Sequence, residues 1–184
     1  VWMRLLTAVP GSVLWLSDGS RTMMDNLRRE AQQRGVNPDR LVFAPRTHSM
    51  AEHLGRQRHA DLFLDTLPYN AHTTASDALW AGLPVLTCAG ETFASRVAGS
   101  LLNTIGLPEL ITTSLSDYEA LALKLAREPD LLAQYRQRLA TNRLSSPLFD
   151  SALYVKHLEN AFLALRARCL DKRCPAHMEV AAAC

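Results

Sequence analysis

Four short runs of apolar residues punctuate the chain: SVLWL (Ser12–Leu16), LVFA (Leu41–Ala44), LFL (Leu62–Leu64) and PVLT (Pro84–Thr87). Successive side chains of a strand point to opposite faces, so a run that is apolar throughout must be covered on both sides. Between the runs, apolar residues recur every three or four positions, the period of a helix with one buried face. Buried strands alternating with such helices make an α/β fold, a parallel sheet with helices on both faces.

The helices carry their own punctuation. Trp2, Leu5, Leu6 and Val9 share one face of an opening helix that Pro10 and Gly11 stop. Position 1 is Val, so the sequence is expected to open partway through that helix. A helix from Ser20 to Arg34 turns Met24, Leu27 and Ala31 inward and closes at Gly35. Ser49 to Arg58 begins with a capping-box pattern, Ser49 followed three residues later by Glu52. Helices follow over Thr74 to Ala81, closed by Gly82, and over Phe93 to Thr104, ended by Gly106. Glu109 to Ile111 reads as a short fifth strand. Asp117 to Arg127 and Asp130 to Asn142 are helices parted at Pro129. Ser151 to Arg168 is a long terminal helix with Leu153, His157, Phe162 and Leu165 facing inward, and residues 169–184 form a polar tail.

Composition narrows the partners. At 184 residues, 48% hydrophobic and 21% charged, the chain has the size and proportions of one globular domain. Its net charge is only +2, without a dense basic cluster, which disfavours nucleic acid and a membrane surface as partners. No apolar stretch approaches the ~18–20 residues of a membrane span. The opening segment carries Arg4 and helical spacing rather than a secretory signal. Four cysteines are too few for a disulfide framework at this length, so a reducing, cytoplasmic compartment is expected. Cys88 lies in an apolar run and reads as a buried thiol. Cys169, Cys174 and Cys184 lie near His177 without the paired C-x2-C spacing of a zinc knuckle, so the tail is not read as a metal site.

In an open parallel sheet, ligands bind beyond the carboxyl ends of the strands, where helix N-termini converge. Three loops qualify. In the second, Asp65 to Thr74, the residues His72, Thr73 and Thr74 open a helix whose free N–H groups and dipole favour an anion. Two hydroxyls and an imidazole add donors suited to a pyrophosphate. The same spacing also fits a plain helix cap, with Thr74 and Asp77 as a capping box. In the third loop, Gly90 allows close backbone approach and Glu91 can accept ribose hydroxyls, while Glu91-Thr92 equally fits another cap. In the first, His53 and Arg56 lie one helical turn apart, a face able to hold a flat base or simply a solvated one.

Several motifs are missing: G-x-G-x-x-G, the Walker loop, H-E-x-x-H and G-x-S-x-G. There is also no Asp-x-Asp pair to clip a divalent ion onto a sugar nucleotide. A diphosphate here is therefore expected to be neutralised by helix ends and side chains, with no metal and no cofactor.

The stretch LDTLPYNAHTTASDALWAGLPVLTCAGETFASRVAGSLL, Leu64 to Leu102, resembles the catalytic region of the O-GlcNAc transferase family, as does SSPLFD, Ser145 to Asp150. The similarity runs from Ser12 to about Leu165, and its order and spacing are more specific than any single motif. The resemblance implies a GT-B architecture of two Rossmann-like lobes. Residues 1–168 are then the C-terminal, donor-binding lobe, truncated at its N-terminus. It implies inverting transfer of N-acetylglucosamine from UDP-GlcNAc to Ser or Thr hydroxyls of proteins. By resemblance, His72, Thr73 and Thr74 match residues that contact the pyrophosphate, and Asp77 lies near the ribose. His53 and Arg56 match the uracil contacts, Tyr69 falls near the sugar's acyl group, and Glu91 and Thr92 line the cleft.

The same resemblance places a leaving-group lysine, the N-terminal lobe with its candidate general base, and a tetratricopeptide superhelix outside this sequence. Protein acceptors would be held by those parts. The lobe's first strand, central in such a sheet, would precede Val1, so a gap in the sheet and an inactive, poorly folding isolated chain are expected. Two rivals stand beside this reading: a protein O-fucosyltransferase lobe using GDP-fucose, and a non-catalytic nucleotide-binding or interaction module. A UDP-GlcNAc 2-epimerase shares the fold and donor but not these motifs.

Overall fold

Every strand pairs in parallel, as the continuous apolar runs require. The computed structural model describes residues 1–180. In chain order the elements are α1 (Trp2–Ala8), β1 (Leu14–Ser17), α2 (Arg21–Gln33), β2 (Leu41–Ala44), α3 (Met50–Arg56), β3 (Phe63–Leu64) and α4 (Thr73–Trp80). Then come β4 (Val85–Cys88), α5 (Val97–Thr104), β5 (Ile111–Thr112), α6 (Leu115–Arg127), α7 (Pro129–Asn142) and α8 (Ser151–Leu170).

The strands form two sheets, β1–β2 and β3–β4–β5. Leu14 pairs with Leu41 in the first, and Phe63 with Val85 and Thr87 with Ile111 in the second. Among the described residues no pairing joins β1 to β3. Helix α1 ties the two sheets together. Its Leu5 packs with Leu86, Cys88 and Tyr118, while the adjacent Leu6 packs with Ala31, Val36 and Leu41.

The larger core lies around α4. Ala75, Ala78 and Leu79 of that helix are fully buried with Val85, Leu102, Leu125 and Leu139. Each fully buried leucine of this kind stabilises the fold by roughly 2 kcal/mol. Gly82 closes α4 with a positive φ of 87°. Its N–H donates to Leu79 and that of Leu83 to Ala78, the paired bonds of a Schellman ending. That turn leads the chain directly into β4. The helix is thus packed along one face and fixed at its C-terminal end.

Several boundaries differ from the sequence reading for local reasons. Ser49 caps α3 through the Glu52 N–H, but the Glu52 carboxylate reaches the His48 N–H rather than that of Ser49. Residues Pro108–Leu110 form a 3-10 turn, so the fifth strand is Ile111–Thr112. The terminal helix runs on to Leu170, so Cys169 is helical. Of its expected inward residues, Leu153 and His157 are half-buried, whereas Phe162 and Leu165 are 60% and 50% exposed. Their spacing marks an apolar face, but no described element covers it. Cys88 is buried, as expected, and Cys169 and Cys174 are exposed free thiols. Cys184 lies outside the described residues.

Candidate functional site

Helix α4 begins at Thr73, with His72 as its N-cap residue and no side-chain cap. The first intrahelical bond runs from the Ser76 N–H to the His72 carbonyl. The N–H groups of Thr73, Thr74 and Ala75 are therefore left to face outward from the helix start. The cap expected as the alternative does not form. Thr74 sits inside the first turn, and the Asp77 carboxylate turns away toward α3. Thr73 and Thr74 are exposed, and their hydroxyls donate to no protein group among the described residues. Other helices of this chain are closed by their own side chains: Ser20 on α2, Ser114 on α6 and Asp150 on α8. The α4 start thus combines free N–H groups, a dipole and two hydroxyls, with no acidic residue in its first turn.

Asp77 meets His53 instead, Oδ2 to Nε2 at 3.3 Å. Arg56 brings its Nη2 to His53 Nδ1 at 3.5 Å and donates Nη1 to the Pro45 carbonyl at 2.8 Å. Its guanidinium also lies over the Trp15 ring, 5.9 Å from the centroid. The structure thus gathers His53, Arg56 and Asp77, expected from separate loops, into one polar group linking α3 to α4.

Tyr69 stacks on His72, with ring centroids 4.9 Å apart and an interplanar angle of 20°. Phe93 meets the His72 ring edge-on, with centroids 6.0 Å apart. The His72 Nε2 approaches the Ala94 carbonyl at 3.3 Å, and the same carbonyl accepts the Asn70 N–H at 3.0 Å. One backbone oxygen therefore joins the second and third loops. Thr92 turns out to be a cap: its hydroxyl accepts the Ser95 N–H, and the Ser95 hydroxyl returns to the Thr92 N–H. That occupies Thr92 in holding the loop. Glu91 is exposed, and its carboxylate makes no hydrogen bond to the described residues.

The sequence reading missed the groups beneath this surface. Asp65 is buried at the end of β3 and accepts hydrogen bonds from Thr66, Ala71 and Thr87. Burial raises its carboxyl above the ordinary carboxylate value, against the opposing pull of those three donors and of His72. Tyr118 donates its hydroxyl to the Asp65 carbonyl at 3.0 Å. Asn70 is fully buried and donates to the Thr66 carbonyl at 2.8 Å. A carboxylate immediately after a buried apolar run was the one visible signal. Asn70 and Tyr118 gave none. Among the described residues no group of three or more His, Cys, Asp or Glu is placed to hold a metal ion.

With the geometry in place, known proteins can be set beside it. The family model described as glycosyl transferase family 41 matches residues 1–158. A UDP-N-acetylglucosamine–peptide N-acetylglucosaminyltransferase of Caenorhabditis elegans is 38% identical over 160 residues, covering 87% of this chain and 14% of that protein. A probable enzyme of the same description from Arabidopsis thaliana, SEC, is 37% identical over 180 residues, covering 97% of this chain and 18% of that protein. A probable one from Petunia hybrida, SPINDLY, is 32% identical and covers 95% and 19%. None of these relatives is described as a fucosyltransferase. The solved structure of a Thermobaculum terrenum O-GlcNAc transferase mutant superposes with a TM-score of 0.85 at 32% identity, over 93% of this chain and 34% of that one. The chain therefore spans less than a fifth of these curated relatives, 14–19%. It shares its fold with about a third of the solved enzyme's chain, 34%. No helix among the described residues is long and apolar enough to cross a membrane. Sequence match and superposition agree: the chain belongs to glycosyl transferase family 41.

Proposed function

We propose that this chain is the donor-binding lobe of a protein O-GlcNAc transferase, holding UDP-GlcNAc while N-acetylglucosamine passes to a Ser or Thr hydroxyl of a protein. The observation that carries the reading is the uncapped start of α4, with His72, Thr73 and Thr74 on it and the His53–Asp77 pair beside it. In this reading the diphosphate lies at the α4 start and the uridine toward His53, Arg56 and Asp77. The acetamido sugar lies near Tyr69, and Glu91 stands at the rim of the cleft behind the Thr92 cap.

The chemistry follows from charge. The acceptor oxygen forms a bond to the anomeric carbon from the face opposite the diphosphate. The bond from that carbon to the β-phosphate oxygen breaks, and UDP leaves with the electron pair. The acceptor proton passes to a base outside this chain. Negative charge grows on the β-phosphate during bond breaking, and the α4 N–H groups, dipole and threonine hydroxyls are placed to stabilise it. The work assigned to these residues needs no metal or cofactor. Acceptor proteins are chosen by parts of the enzyme beyond this lobe. The two exposed free thiols and the buried Cys88 suit a reducing, cytoplasmic setting.

Calorimetric titration of UDP and of GDP, without divalent metal, tests this on the chain itself and on a chain extended upstream. Selective UDP binding is expected. Preference for GDP would move the assignment to the fucosyl donor. Binding of neither by a folded, extended chain would leave a non-catalytic interaction module.

A further inference from the structure

Asp65 stands directly after β3 and is 5% exposed. The N–H groups of Thr66 and Ala71, at the two ends of the loop leading to α4, both donate to its Oδ1, at 2.8 and 2.6 Å. Thr87 on β4 donates its hydroxyl to Oδ2 at 2.6 Å. Thr112 on β5 in turn donates to the Thr87 carbonyl at 2.9 Å. One carboxylate therefore closes the loop on itself and anchors it to the sheet. Ala71 immediately precedes His72, so the anchored N–H is one residue from the α4 N-cap.

The chemistry of the residue sharpens the point. A buried carboxylate is costly unless its oxygens are filled, and here three donors fill them. Its negative charge, so close to an anion site, gives no advantage to anion binding. What it supplies is direction: Oδ1 must accept both loop N–H groups, while the group facing Oδ2 is the Thr87 hydroxyl, which can donate or turn to accept. None of the three partners lies in a regular helix, where the backbone would fix itself.

We propose that Asp65 is the positioning residue of the diphosphate site. By closing the Thr66–Ala71 loop on a carboxylate held by Thr87, it fixes the angle at which the His72, Thr73 and Thr74 groups meet the departing β-phosphate. The inference rests on the donor-site reading above. Donors that stabilise a transition state must be held to within about 0.5 Å, and a misplacement of about 1 Å can cost ~10²-fold in rate.

The test compares Asp65→Ala, Asp65→Asn and Thr87→Val in the full enzyme carrying this lobe, with Thr73→Ala as the reference for direct contact. The readouts are kcat and KM for UDP-GlcNAc, UDP affinity and thermal unfolding. Asp65→Ala is expected to lower kcat by ~10²-fold with a smaller change in KM. Asp65→Asn keeps an Oδ1 that accepts both N–H groups and is expected to recover to within ~10-fold of the wild type. If Thr73→Ala changes neither rate nor UDP affinity, the donor-site reading itself falls. If Thr73→Ala is impaired while Asp65→Ala shifts only the unfolding temperature, the positioning role alone falls. It falls too if Asp65→Asn is as impaired as Asp65→Ala, because the effect then lies in the charge. Should Asp65→Ala fail to fold, Thr87→Val decides: a lowered kcat in a folded protein supports the role, and a wild-type kcat overturns it.

Discussion

His53 on α3 and Asp77 on α4 meet at 3.3 Å, Nε2 to Oδ2, with side chains 23% and 21% exposed. Arg56 approaches the other ring nitrogen, Nδ1, at 3.5 Å, so the imidazole lies between a guanidinium and a carboxylate. The imidazole is thereby held between two helices. Among the described residues β1 and β3 do not pair, and this contact links α3, which follows β2, to α4, which follows β3. A double-mutant cycle of His53→Ala and Asp77→Ala is expected to give a coupling of about 1 kcal/mol in unfolding free energy. Additivity within about 0.3 kcal/mol would show that the pair does not interact.

The α4 start makes a second prediction. Thr73→Ala and His72→Ala are expected to lower kcat by ~10²–10³ in the complete enzyme, as loss of a donor to a developing oxyanion does. UDP affinity should change less, because the charge these groups meet is largest in the transition state. Single-turnover rates set against UDP titrations measure the split. A fall in affinity at constant kcat would make them binding residues only.

The contrast between the two halves of the site shows what a sequence can carry. His72, Thr73 and Thr74 are consecutive, and the helix after them is amphipathic, so a candidate anion site was legible from spacing. That this helix start carries no side-chain cap was not, because it turned on where Asp77 points, and that depends on His53 two elements earlier. Asp65 was visible only as a charge after an apolar run. Its partners Ala71, Thr87 and Tyr118 are scattered along the chain and meet only once β3, β4 and α6 are packed. The strands were legible because each run is almost wholly apolar, while their ends are set by pairing and moved by a residue or two. The face of α8 was legible in part, but periodicity names a face without naming what covers it. Hence Phe162 and Leu165, expected inward, stand exposed.

Asp65 also predicts a pH dependence of stability. Burial raises its carboxyl above the ordinary value of 3.8, even with Thr87, Thr66 and Ala71 donating and His72 nearby. The folded state therefore favours the protonated form more than the unfolded chain does. The stability from this group is fully present below about pH 3.8 and is lost as the pH rises through the raised value. Asn does not titrate. The unfolding temperature of Asp65→Asn relative to the wild type should therefore rise between pH 4 and pH 7. Parallel melting curves that keep a constant gap across this range would show that Asp65 titrates as in the unfolded chain.

Gly90 tests how firmly the third loop holds the second. A Cβ at position 90 would lie 2.5 Å from the Ser95 Oγ and 2.8 Å from the Ser95 Cβ. Ser95 cannot swing aside easily, because it is 2% exposed and its side chain is engaged in the capping box with Thr92. Gly90→Ala must therefore push the 89–95 loop outward, and with it the Ala94 carbonyl that receives the Asn70 N–H and His72 Nε2. Overpacking of this kind typically costs about 1–3 kcal/mol. The expected result is a lower unfolding temperature together with weaker UDP binding, since the His72 ring loses its backbone partner. Ser95→Gly removes both obstructing atoms, so Gly90→Ala combined with Ser95→Gly should recover part of the UDP affinity that Gly90→Ala alone loses. Additive losses in the double variant would mean that the loop yields elsewhere and that the contact with Ser95 does not set its position.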